Sequence, residues 1–225
     1  TRSKETVIKY FFQSVRFLMS KDIKLIVTAC NTASALAMEE AQKVFDIPII
    51  GVIDPGSKAA AANTKNSTIG VIGTEGTINS GTYQRKIRKI LPSAEIIGIS
   101  CPLFVPIVEE GWENSDVAYI TAQKYLLELK EHNIDSLVLG CTHYPALRYT
   151  INKVFENKVN LVNPAYETAK ATKILLKEEN MLSDKLDGGK ANFYVSDDPE
   201  KFKRIGGNIL RKEIASVQKV NIENL

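Results

Sequence analysis

The 225 residues include only three cysteines and two histidines, and each scarcity removes a class of protein. Cys30, Cys101 and Cys141 are odd in number and far apart in sequence, so neither a disulfide framework nor the CxxC spacing of a metal site is present. With His132 and His143 as the only imidazoles, a structural zinc centre has few candidate ligands, and no metal is expected. No apolar run reaches the length of a membrane span. The opening stretch, residues 1–19, is amphipathic and charged and lacks a signal-peptide profile. A cytoplasmic, non-membrane protein is therefore expected. Neither sign of charge dominates, because 29 Lys and Arg against 26 Asp and Glu leave only +3. The basic cluster of Arg85, Lys86, Arg88 and Lys89 has helical spacing and reads as a solvated face, so nucleic acid is not an expected partner. None of the glycine groupings has phosphate-loop spacing. An apolar fraction of 44% is enough for a core, and the length accommodates two compact units.

What the sequence does contain is a regular alternation of strand and helix signals. Helical periodicity covers 5–20, 32–45, 57–63, 75–91, 102–110, 115–131, 144–156, 165–179 and 199–210. Short apolar or β-rich runs cover 24–29, 48–53, 68–73, 95–100, 136–140, 159–162, 192–195 and 217–222. Asp54-Pro55-Gly56 and Gly188-Gly189 read as turns, and Gly206-Gly207 as a helix interruption. Asn63, Thr64 and Asn66 read as a polar loop. The alternation implies an α/β fold with mostly parallel sheets covered on both faces. Ligands in such folds sit beyond the carboxyl ends of the strands, here after Ala29, Gly73, Gly140 and Val162.

Two of those loops echo one another. Residues 25–35 and 136–146 each run as an apolar strand, a small residue, a cysteine, two polar residues and a helix start, which suggests two similar α/β halves facing each other. Cys30 and Cys141 occupy the matching positions. A cysteine between a strand end and a helix start lies near unpaired N–H groups, which favour the thiolate and lower its pKa. Asn31 and Thr32 after Cys30, and Thr142 and His143 after Cys141, supply further donors. A free cysteine is most often a small buried hydrophobe, and Cys101, followed by Pro102 and apolar residues, is read that way. Two cysteines in matched contexts point instead to paired chemistry. Inverting a stereocentre needs a base on one face of a carbon and an acid on the other. Covalent catalysis would leave one of the two idle.

At these residues the chain resembles glutamate racemase, of the aspartate/glutamate racemase superfamily. The resemblance is carried by Ala29-Cys-Asn-Thr-Ala33, Ile49-Ile-Gly-Val-Ile-Asp-Pro-Gly56, Ile69-Gly-Val-Ile-Gly-Thr-Glu-Gly-Thr77, Cys101-Pro-Leu-Phe-Val-Pro106 with Val108-Glu-Glu-Gly111, and Leu139-Gly-Cys-Thr-His-Tyr-Pro145. It implies two pseudo-symmetric three-layer domains with mostly parallel sheets and an active site in the cleft between them, residues 1–53 with 163–225 forming one and 54–162 the other. It also implies racemisation of glutamate without pyridoxal phosphate, metal or nucleotide, supplying D-glutamate for peptidoglycan, by an enzyme that is a homodimer. By matching positions, Cys30 is the base for D-glutamate and Cys141 the base for L-glutamate, with His143 assisting Cys141. Asn31, Thr32, Thr74, Thr77 and Thr142 match positions that hold the substrate's carboxylates and amino group. Glu109 matches an acidic residue near the family's site, and reads equally as a solvated helix-end carboxylate, as does Glu110. The family's opening Asp-Ser-Gly-x-Gly-Gly and its later Pro-Tyr-Gly do not occur in this sequence. The opening strand and helix are therefore expected to be missing from these residues, which suggests a fragment. A sister racemase for aspartate or another small acid, and a non-catalytic binding form, remain alternatives.

Overall fold

The computed structural model describes residues 3–185, 188–223 and 225. The chain opens on α1 (Lys4–Met19), whose N-cap Ser3 accepts the Thr6 N–H, one of the donors a helix start leaves unpaired. Then follow β1 (Ile26–Thr28), α2 (Asn31–Leu36), α3 (Met38–Val44) and β2 (Ile49–Gly51). β1 and β2 pair in parallel, Ile26 opposite Ile49. Val15, Ile26, Ala41 and Ile49 form a small core there, with Phe11, Phe12 and Phe45 packed against it.

The principal sheet has four parallel strands in the order β4 (Glu95–Ser100), β3 (Thr68–Gly73), β5 (Ser136–Gly140), β6 (Asn160–Val162). Its two inner strands are buried on both faces, so they carry continuous apolar runs. Alternation divides those runs. Ile69, Val71 and Val138 pack towards α4 (Ile53–Asn63) and α6 (Thr82–Ile90). Ile72, Leu137 and Leu139 pack towards α7 (Phe104–Glu109), α8 (Asp116–Glu131) and α9 (Arg148–Val154). This is a helix–sheet–helix sandwich. A short helix, α5 (Glu75–Asn79), sits at the carboxyl end of β3.

The tail begins with α10 (Pro164–Glu178), capped by the Asn163 side chain with proline in its first turn. It packs on α4, β2 and β5, so it touches both the β1–β2 pair and the four-stranded sheet. β7 (Tyr194–Val195) and β8 (Gln218–Lys219) form a second parallel pair on either side of α11 (Pro199–Leu210).

Several sequence expectations need correcting. The helix over 32–45 is two, α2 and α3, joined at Ala37, which closes one and opens the next; no glycine or proline marks the joint. The helix over 75–91 divides into α5 and α6 because Gly81 adopts a left-handed conformation, φ 63°. Asp54-Pro55-Gly56 is no turn: it lies in the first turn of α4, where proline sacrifices no helical hydrogen bond. The helix over 144–156 starts as a 3-10 turn (Tyr144–Leu147). Gly206-Gly207 does not interrupt α11; a side chain at Gly206 would come within 2.9 Å of Ile214 Cδ1, so the glycine admits the returning chain. Gly188 has a left-handed backbone, φ 71°, a conformation that glycine adopts without strain. No helix among the described residues is long and apolar enough to cross a membrane.

Candidate active site

The candidate residues gather at the carboxyl ends of β1, β3 and β5. Cys30 follows β1 and occupies the N-cap position of α2 with its thiol exposed. Its neighbour Asn31 is buried, and Asn31 Oδ1 accepts a 2.6 Å hydrogen bond from Tyr83 Oη. Burial raises the Tyr83 pKa far above its ordinary value, so the phenol keeps its proton, and because an amide oxygen only accepts, the phenol is the donor. That fixes the Asn31 amide with its oxygen towards Tyr83 and leaves its two N–H groups for other acceptors.

Thr32 reaches across to the end of β3. Its Oγ1 lies 2.8 Å from Thr74 Oγ1 and 3.1 Å from Thr77 Oγ1, and the last two are 3.1 Å apart. Thr74 is also the N-cap of α5 and accepts the Thr77 N–H. Three hydroxyls thus converge from two loops, each able to donate one hydrogen and accept others. They can bind a carboxylate or an ammonium group without introducing a strong base.

Cys141 follows β5 and is buried. Here the expected fall in thiol pKa is overturned. Burial is the largest influence and raises it, and charge on Cys30 raises it further. The N–H groups of His143 and Thr142 and the Thr142 hydroxyl pull the other way without prevailing. The donors that the sequence predicts are present, but dehydration of the sulfur outweighs them.

His143 lies beside Cys141, its Nδ1 3.9 Å from the sulfur and 3.3 Å from Thr142 Oγ1. On the far side of the ring, Nε2 is 3.6 Å from Glu109 Oε1. Glu109 is only 27% exposed in its side chain and pairs with both His143 and Lys201, so the reading of a free, solvated carboxylate gives way to that of a site-wall residue. Burial holds the His143 imidazole below its ordinary pKa, against Glu109, which raises it, and together with Lys201, which lowers it. Glu110 is exposed and joins none of these contacts.

Cys101 is fully buried, and burial drives its pKa far upward. Its carbonyl accepts the Tyr144 hydroxyl at 2.8 Å, so it supports the wall behind Cys141. Sequence reasoning missed Tyr83 and Lys201, which reach the site from α6 and α11 and belong to no local motif. Among the described residues no three His, Cys, Asp or Glu side chains are grouped to hold a metal ion.

Comparison with known proteins accords with this geometry. Residues 2–172 match the family model of the Asp/Glu/hydantoin racemases. A glutamate racemase of Geobacter metallireducens is 45% identical over 223 residues, which are 99% of this chain and 83% of that protein. Among solved structures, glutamate racemase isoform RacE1 of Bacillus anthracis superposes with a TM-score of 0.94 at 36% identity, covering 99% of this chain and 83% of that one. The Francisella tularensis glutamate racemase, solved in complex with D-glutamate, superposes with a TM-score of 0.93 at 34% identity, over 100% of this chain and 84% of that one. The fold, the cysteine loops and these relationships agree: the chain belongs to the Asp/Glu/hydantoin racemase family and, within it, to the glutamate racemases, which are isomerases.

Proposed function

We propose that this chain interconverts L- and D-glutamate by proton exchange between Cys30, Cys141 and the substrate α-carbon, in a cleft between residues 1–53 with 163–225 and residues 54–162. The observation that carries the proposal is the placement of two cysteines at strand ends, Cys30 after β1 next to the hydroxyl cluster of Thr32, Thr74 and Thr77, and Cys141 after β5 beside His143; charge on Cys30 disfavours charge on Cys141. Two thiols so coupled resist being ionised together. A two-base inversion requires one thiolate and one thiol.

On this reading the thiolate takes the α-proton from one face, and the electron pair passes into the adjacent carboxylate. The opposite thiol then gives its proton to the other face. The sulfurs end each turnover with their protonation states exchanged. Cys141 is the base for L-glutamate and Cys30 for D-glutamate. Thr32, Thr74, Thr77, Thr142 and Asn31 hold the carboxylates and amino group, and His143, backed by Glu109, assists Cys141. The D-glutamate bound by the Francisella relative is the ligand class expected here. Its supply to peptidoglycan, in the cytoplasm, is the associated role.

Circular dichroism of D-glutamate incubated with the protein, beside D-aspartate, tests this. Loss of signal with glutamate alone is expected, and Cys30→Ser and Cys141→Ser should each lower the rate by at least about 100-fold. Loss with aspartate would select a different small acid. Activity retained in either variant would overturn the two-thiol assignment.

A further inference from the structure

α11 brings a cation to the Glu109 carboxylate, although the two-thiol mechanism has no need of one. We infer that Lys201 is a positioning residue that divides the Glu109 carboxylate between itself and His143, so that the C-terminal helix tunes the Cys141 side of the site; the inference rests on the functional reading above.

The geometry is uneven in a telling way. Lys201 Nζ lies 3.0 Å from Glu109 Oε2, whereas His143 Nε2 is 3.6 Å from Oε1. The carboxylate is therefore held more tightly by the lysine than by the imidazole. The same helix grips Glu109 a second time, because Arg204 Nη1 donates to its backbone carbonyl at 3.2 Å. That carbonyl belongs to the last residue of α7, where a helix leaves acceptors unpaired. Lys201 is itself fixed from within α11, since Asp198 caps the helix by accepting the Glu200 and Lys201 N–H groups, each at 3.0 Å. The lysine is half exposed, and an exposed ion pair contributes little to stability. Its consequence is electrostatic and local.

The charged and titratable groups facing His143 come from each element around it: Glu109 from α7, Cys141 from the loop after β5 with Cys30 beyond it, and Lys201 from α11. Lys201 disfavours the imidazolium and Glu109 favours it. Removing the lysine takes away its repulsion and frees the carboxylate to pair fully with the ring. Both changes favour protonated His143, and with it a thiolate at Cys141.

The test is NMR titration of the imidazole protons in the full chain, from about pH 5 to 9. With only two histidines, the spectrum is easily assigned, and His132 serves as an internal reference. Lys201→Met should raise the His143 midpoint by about half a pH unit, leaving His132 unmoved, while Lys201→Arg keeps the wild-type value. In the racemase assay with L-glutamate, for which Cys141 is the base, the ascending limb of kcat against pH should move to lower pH in Lys201→Met, as the thiolate becomes easier to form, and not in Lys201→Arg. An unmoved His143 midpoint in Lys201→Met, or an equal displacement in Lys201→Arg, overturns the inference. A His143 midpoint that moves as expected in a wild-type background that racemises no glutamate upholds the Lys201 contact and refutes the two-thiol reading.

Discussion

Tyr83 decides which way the Asn31 amide faces. Its hydroxyl is buried, protonated and 2.6 Å from Asn31 Oδ1, so Tyr83→Phe leaves a buried acceptor without a partner. The expected cost is about 1–3 kcal/mol of stability by denaturant titration, together with a several-fold rise in KM for glutamate as the amide loses its orientation. A KM equal to wild type would mean that Asn31 is held by other contacts. At this scale the sequence reveals the cysteines, because each is set in a local motif and the two motifs match. It does not reveal Tyr83 or Lys201. Asn31 and Tyr83 are 52 positions apart, and the hydrogen bond between them exists only once α2 and α6 are packed. Nor does the motif disclose that Cys141 loses water, since the apolar cluster around it draws on other segments, Phe104 of α7 among them.

Among elements, the strands of the four-stranded sheet were the most legible. Runs at 68–73, 95–100 and 136–140 coincide with β3, β4 and β5; in the inner strands β3 and β5 continuous burial demands continuous apolar sequence. Helix joints were less so: apolar periodicity continues through Ala37 and Gly81 although the backbone does not. One joint between elements carries its own test. Asp135, just before β5, accepts hydrogen bonds from the Thr64 hydroxyl and from the N–H groups of Lys65 and Asn66, tying the end of α4 to the sheet. Dehydration raises its pKa, but these donors and its own N–H outweigh that, and the net direction is downward. A carboxyl with a depressed folded-state pKa contributes stability above its unfolded value, near about 4, and loses it as pH falls through the folded value. Asp135→Asn should therefore cost about 1–2 kcal/mol at neutral pH. The difference from wild type should shrink below about pH 4, as followed by urea unfolding across that range. A pH-independent difference would mean that shape, not charge, makes the contact.

For the molecule as a whole, the alternation of strand and helix indicated parallel sheets, and the echo between 25–35 and 136–146 indicated two related units. The tail was least legible, since β7 and β8 are only two residues each and too short to imprint a pattern. α10, touching β2, β5 and α4, joins segments that the sequence keeps far apart. The three sulfurs also have unequal access to solvent: Cys30 is open, Cys141 covered and Cys101 sealed. A small electrophile such as iodoacetamide should therefore alkylate the native protein in a fixed order, Cys30 first, Cys141 slowly and Cys101 only after unfolding. Peptide mass mapping of a time course reads that order directly, and early adducts at Cys101 would contradict it. The two ends of a chemically reversible reaction would then be guarded by thiols with very different shelf lives under oxidation, the accessible one ageing first.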